Sequence, residues 1–236
     1  MSKRKVFIKL CLEITAIIIG ISVSFGINEI SNERDLEIQR ERVLNSILTE
    51  SNDIKKYCDD RMQIWNQDIE IYNLLLMDEL NIEELKKVAI SKNRIEYNLI
   101  YYRDFYPPMN RYNSAVNTGD LKYINSEHIK ETITRLHNLN FTKVLSTVDY
   151  EKKIINLMIE LISEENPNLI LNGNSTNISF DDYLKSLHEF IQDNDKLKSN
   201  LIIQLKYFKT RVSSLKVYMI TLEELQYNLK EVLAAN

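Results

Sequence analysis

"EISNERDLEIQRERVLNSILTESNDIKKYCDDRMQIWNQDIEIYNLLL", residues 29–76, contains neither Gly nor Pro. Inside a helix Gly costs about 1 kcal/mol and Pro about 3 kcal/mol relative to Ala, so a long stretch free of both has no built-in stop. Leu36, Val43, Ile47, Ile54, Tyr57, Ile64, Ile71 and Leu75 recur at spacings of three, four and seven, which marks one face of a long helix. Arg40, Glu50, Arg61 and Asp68 interrupt that face, so the pattern is too irregular for a coiled coil and predicts a stalk that packs partly on later helices. Unbroken from Lys5 to Leu76, such a helix would be about 110 Å long, and a bend near Asn52 or Asn66 is expected.

The whole chain shares this economy. Its 236 residues hold only four Gly and three Pro, too few for the hairpins and tight turns of a sheet-rich fold. An all-α fold is predicted. The formal net charge of −4 excludes a generally basic nucleic-acid binder while allowing a local basic patch. Two cysteines, Cys11 and Cys58, make neither a disulfide framework nor a zinc site.

Upstream of the stalk, Lys3, Arg4 and Lys5 lead into an apolar run in which 15 residues from Ile14 to Asn28 carry no charge. At 1.5 Å per residue that is about 22 Å of helix, short of a hydrocarbon core of about 30 Å unless the span reaches back through Glu13 and Lys9. On a helical wheel Lys9, Glu13, Ala16, Gly20, Ser24 and Asn28 form a polar, small-residue stripe, with isoleucines and Phe25 over most of the remainder. An intramembrane charge normally faces protein or a wet cavity, and small residues allow close helix approach, so the stripe predicts self-association. Three readings stay open. Lys9 and Glu13 snorkel to one interface beside a simple dimer contact; the stripe lines a pore through Lys9, Glu13, Gly20, Ser24 and Asn28; or the segment is cleaved as a signal peptide or binds at the interface.

Downstream, Asn81 with Glu84 forms a capping box, a helix is expected over 91–103, and Pro107 with Pro108 stops it. A short helix over 109–117 ends at Gly119, Asn125 or Ser126 opens a long helix to about Ser163, and "EENPNLILNGNSTNI", residues 164–178, reads as a loop. Ser179 with Asp182 opens the next helix, and a last one covers roughly 197–234. The organisation is therefore an N-terminal transmembrane helix, 1–30, continuing into a helical-bundle domain, 31–236. The latter divides into a stalk-like helix at 31–78, middle helices at 79–163, the loop at 164–178 and C-terminal helices at 179–236.

Motifs for catalysis are missing: no phosphate-binding Gly loop, HExxH, CxxC or Gly-x-Ser-x-Gly. His128, His137 and His188 lack partners at metal spacing and read as surface or packing residues. No enzyme, cofactor or metal is expected. Ligand binding has two candidate regions. Residues 196–218 carry Lys196, Lys198, Lys206, Lys209, Arg211 and Lys216 without an acidic residue, and Lys206, Lys209, Ser213 and Lys216 share a face that would meet phosphates. In "NRIEYNLIYYRDFYPPMNRYN", residues 93–113, Arg94, Arg103 and Arg111 alternate with aromatics including Tyr102, a pattern that can stack bases and hold phosphates. For both, internal ion pairing and core packing are the competing readings.

"LEITAIIIGISVSFGINEISNER", residues 12–34, and "PPMNRYNSAVNTGDLKYINSEHIKETI", residues 107–133, resemble the two signatures of an uncharacterised family of small single-pass bacterial membrane proteins. Glu29 departs from that pattern, standing where the family has an aromatic residue. In layout the chain is also similar to membrane effectors of bacterial anti-phage systems, such as the effector subunit of Hailong-type systems. That likeness implies a homo-oligomer such as a tetramer in the inner membrane lipid and a cytoplasmic bundle. It also implies a nucleotide or oligonucleotide ligand made by a signal-producing partner protein, and a ligand-gated pore or ion channel that disrupts the membrane. The alternative is a non-conducting membrane-tethered scaffold or interaction module. The basic residues flanking the span, Lys3, Arg4, Lys5 and Lys9 against Arg34, Arg40 and Arg42, favour an external bundle by the positive-inside rule, opposite to what the likeness implies.

Overall fold

The computed structural model describes the backbone of residues 3–173 and 175–235, with side chains at residue 15 and from residue 17 onward. Every regular element among the described residues is helical. Helix α1, Lys3–Leu75, runs unbroken for 73 residues, past both positions where a bend was expected. It is followed by α2 (Ile82–Ala89), α3 (Lys92–Ile100), α4 (Asn110–Thr118), a 3₁₀ turn (Asp120–Tyr123) and α5 (Glu127–Thr134). One wide π turn, Arg135–Asn140, joins α5 to α6 (Phe141–Glu165); then come α7 (Asn168–Gly173), α8 (Phe180–Asp193) and α9 (Asp195–Ala234).

Local chemistry set the element ends. The side chains of Asn81, Ser91, Ser126, Ser179 and Asn194 each accept a hydrogen bond from a backbone N–H in the first turn of α2, α3, α5, α8 and α9. Gly119 closes α4 at φ 74°, a left-handed conformation that costs glycine little. Two boundaries differ from expectation. Helix α3 ends at Ile100, and residues 101–109 run without regular structure, because Phe105 is drawn fully into the core and the prolines at 107 and 108 disfavour helix before them. The loop expected over 164–178 contains α7, whose Leu169 is buried in the main core.

Helix α9 packs antiparallel along α1. Phe208 meets Tyr72 with ring centroids 5.0 Å apart, the Arg211 guanidinium lies 5.0 Å from the Trp65 ring, and Gln226 Nε2 is 3.0 Å from Asn52 Oδ1. Two apolar clusters flank this axis. One joins Ile71, Tyr72 and Leu75 to α8 and the start of α9; the other joins Val43, Leu44, Ile47 and Ile54 to α5, α6 and the end of α9. Phe105 is the hub of the second, with its ring centroid 5.5–6.0 Å from those of Tyr57, Trp65, Phe141 and Tyr218.

The seam of α1 differs from the predicted one. Ile47, Ser51, Ile54, Cys58, Trp65, Asp68, Tyr72 and Leu75 are all buried, whereas Tyr57 and Ile64 are only half-buried and Leu36 is exposed. Glu50 and Asp68, which the sequence pattern marks as interruptions, are 3% and 2% exposed. They belong to the inward face because carboxylates from α1 meet donors on later elements.

Among the described residues, 17–36 of α1 have no part in the core. Ile17, Ile18, Ile19, Ile21, Val23, Phe25, Ile27 and Ile30 are each more than half exposed. Residues 17–36 thus form an exposed arm about 30 Å long, uncharged only as far as Asn28. Among the described residues no helix is long and apolar enough to cross a membrane, so a transmembrane helix over 1–30 is not supported. The charges at Glu29, Glu33 and Arg34 limit the arm at one end.

Candidate functional site

Two of the sequence-predicted ligand regions converge inside the bundle. Arg94 on α3 lies 2.5 Å from Asp68 Oδ1, and Arg103 Nε donates to Asp68 Oδ2 at 2.9 Å while its guanidinium sits 4.3 Å from the Tyr97 ring. Arg211 on α9 is fully buried and pairs with Glu151 on α6. Its Nε donates to Thr147 Oγ1 at 3.1 Å and its Nη2 to the Thr147 carbonyl at 3.2 Å. Trp65 and Phe208 face the same guanidinium. Five segments of chain are tied together in this way.

Burial sets the electrostatics of the cluster. Burial pushes the Asp68 carboxyl above the usual range, against the pull of Arg103. Burial likewise raises Glu151 to about 7, with Arg211 opposing. Arg94 and Arg103 share Asp68 and Arg211 pairs with Glu151, although the buried Arg211 Nη1 has no hydrogen-bond partner among the described residues; a buried pair of this kind costs several kcal/mol if one partner is lost. Arg94 and Arg103 are occupied by Asp68 rather than presented to a ligand. Arg211 is likewise no part of the exposed basic face. Two residues beyond Lys209 is a turn of about 200°, which takes its side chain into the core.

Lys206, Lys209, Ser213 and Lys216 do share an exposed face of α9, and none of the three lysines makes an ion pair among the described residues. Since α9 is antiparallel to α1, Lys206 stands level with residues near 72, roughly 50 Å along α1 from the arm. Tyr102 is exposed, with Lys152 Nζ 4.5 Å from its ring.

Arg111 takes a different place from Arg94 and Arg103. Its backbone N–H and that of Tyr112 donate to the buried Glu50 carboxylate at 2.5 and 2.9 Å, pinning the first turn of α4 to α1. Its side chain lines a cleft of about 290 Å³ between α1 and α4 together with Gln39, Arg42, Ser46, Asn110 and Ser114. Sequence reasoning missed this grouping. The 39, 42, 46 and the 110, 111, 114 spacings each mark one helical face, but nothing in the sequence brings the two faces together.

On the arm, Gly20, Ser24 and Asn28 line a shallow groove with Ile17, Ile21 and Phe25, so the stripe is less polar than its predicted form. Ile17 is three residues before Gly20 and falls on its face. The Ser24 hydroxyl donates to the Gly20 carbonyl at 2.9 Å. The side chains of Lys9 and Glu13, also predicted to line a pore, lie outside the described residues, as does that of Cys11.

The histidines are dispersed. His128 is exposed near Glu224, and His188 Nε2 is 2.8 Å from the Met77 carbonyl oxygen. His137 is buried in the π turn, stacked on Tyr112 at 3.9 Å between centroids, and burial lowers its pKa to about 4. Cys58 is buried with its thiol pushed up to about 12, which removes thiolate reactivity near neutrality. Among the described residues no group of three or more His, Cys, Asp or Glu is placed to hold a metal ion. The chain matches no protein-family model, no curated protein and no solved structure.

Proposed function

We propose that the chain is a membrane-attached homo-oligomeric effector in which arms from several copies associate in the lipid and line a conducting path. The observation that carries this reading is the exposed arm: eight large apolar side chains from Ile17 to Ile30 without cover, beside a groove of Gly20, Ser24 and Asn28. Contiguous apolar surface of this kind marks a membrane or protein contact. A single arm is too short and too polar to cross lipid alone; copies that turn their stripes inward hide the polar groups and leave isoleucines outward. A ring such as a tetramer is the closed form of such contacts. Glu13 and Asn28 then set ion passage, and the exposed Lys206, Lys209 and Lys216 row reads an anionic signal such as a nucleotide. The likeness in layout to anti-phage effectors supports a cytoplasmic bundle at the inner membrane and membrane disruption as the outcome.

The test is depolarisation of expressing cells, followed with a voltage-sensitive dye. Glu13→Ala is expected to abolish depolarisation at unchanged protein level; equal depolarisation by both forms overturns the conducting reading. The short uncharged length of the arm favours a second reading, a non-conducting tether. Replacing residues 6–28 with a plain Leu-Ala span separates the two, because a tether keeps its function and a conducting assembly loses it.

A further inference from the structure

We propose that the cleft between α1 and α4, where the arm enters the bundle, is a binding site for a phosphate group, held by Arg42 and Arg111. The two guanidiniums come from different helices, and neither makes an ion pair among the described residues. This sets them apart from Arg94, Arg103 and Arg211, which the same bundle neutralises with Asp68 and Glu151. Around the pair stand the hydroxyls of Ser46 and Ser114 and the amides of Gln39 and Asn110, all able to donate. Asp120 is the single carboxylate on the lining, so the balance of fixed charge is positive.

The walls are built rather than incidental. Buried Val43 and Ala115 form apolar parts of the lining. Glu50 accepts the N–H groups of Arg111 and Tyr112, which fixes where Arg111 leaves the α4 backbone. Burial raises the Glu50 pKa while these hydrogen bonds and the Arg111 charge pull it down, so Glu50 is already engaged with α4. Forked guanidinium donors match phosphate oxygens better than they match a single carbonyl or halide. At about 290 Å³ the cleft is at the small end for ligand sites, which suits a phosphate head with the remainder of its molecule outside. Both a soluble phosphate ester and a lipid headgroup present this chemistry, and the position at the base of the arm is reachable by either. The assignment does not depend on conduction by the arm.

The test uses the full chain and the double variant Arg42→Gln with Arg111→Gln; both side chains are surface groups, and unchanged thermal unfolding of the variant checks that it folds. Pyrophosphate binding is followed by calorimetry. Cosedimentation is followed with phosphatidylcholine vesicles, with and without an equal part of phosphatidylglycerol. The double variant is expected to lose about tenfold or more in affinity, the scale of one or two charge-assisted hydrogen bonds. Loss of pyrophosphate binding assigns a soluble phosphate ligand. Loss confined to the phosphatidylglycerol-dependent part of cosedimentation assigns a lipid headgroup. Equal behaviour of the two proteins towards both probes, or no phosphate-dependent binding by the full chain, overturns the site. Lys185→Gln, which removes an exposed cation on α8 whose ion pair lies within its own helix, is the control and leaves either readout unchanged. Depolarisation in cells is measured separately, so failure here and failure of the conducting assembly are distinct results.

Discussion

The arm and the bundle invert each other. Residues 17–30 expose eight large apolar side chains, whereas the bundle encloses Glu50, Asp68, Glu151 and Arg211, each no more than 3% exposed. One helix, α1, carries both arrangements along its length. The difference lies in what later segments supply. Asp68 meets Arg94 and Arg103, and Glu50 meets the first turn of α4, so charge inside the bundle has partners. Among the described residues nothing covers Ile18 or Phe25, so the apolar surface of the arm is left open.

Removing one buried charge breaks that contrast most severely. Arg211→Met leaves Glu151 buried without its cation and is expected to cost about 3–5 kcal/mol of unfolding free energy in denaturant titrations. Adding Glu151→Leu should restore much of it. A single-variant loss below about 1 kcal/mol would show that the pair does not hold α6 to α9.

A proton tests the same interior at a second place. His137 has its pKa lowered from 6.5 to about 4 by burial, so its stabilising contribution is full above 6.5 and is lost as pH falls through 4. The loss approaches roughly 3 kcal/mol, one pKa unit being about 1.4 kcal/mol. Glu151, raised to about 7, acts in the other direction, its contribution being full below its ordinary value near 4.5 and lost as pH rises towards 7. The informative measurement is therefore the difference between the parent chain and His137→Phe across pH 6.5 to 4. That difference should shift in favour of the variant as pH falls; a flat difference would mean that His137 charges without cost.

The smallest effect on the fold sharpens the other side of the comparison. A Cβ at Gly20 meets nothing within 4 Å, so Gly20→Leu should leave bundle stability within about 0.5 kcal/mol. The same change fills the groove and should lower the oligomer fraction in detergent by analytical ultracentrifugation. A shifted melting temperature with unchanged association would reverse the roles assigned to arm and bundle.

Much of the fold was legible because its signals are local. The caps at Asn81, Ser126 and Ser179 and the left-handed turn at Gly119 each act within one turn of helix, through bonds between residues three or four apart. The helix at 168–173 is not legible in the sequence because its formation depends on Leu169 entering a distant core. The candidate sites were less legible. Arg94, Arg103 and Arg211 carry the residue types of a phosphate site, and only their neighbours, 26 to 60 residues away, turn them into core ion pairs.

An all-helical chain, a long first helix without an internal stop after Gly26, the caps at Asn81 and Ser179 and an apolar N-terminal stretch with a small-residue stripe are legible in the sequence alone. Those follow from backbone propensity and short-range hydrogen bonding, which act within a few residues. Only the packing of distant segments settles which charges are buried, that Glu50 accepts the first N–H groups of α4, that α9 returns along α1, and that Arg42 and Arg111 line one cleft. Those outcomes depend on which distant groups come close enough to replace water around a charge, and no periodicity in a single segment encodes that choice.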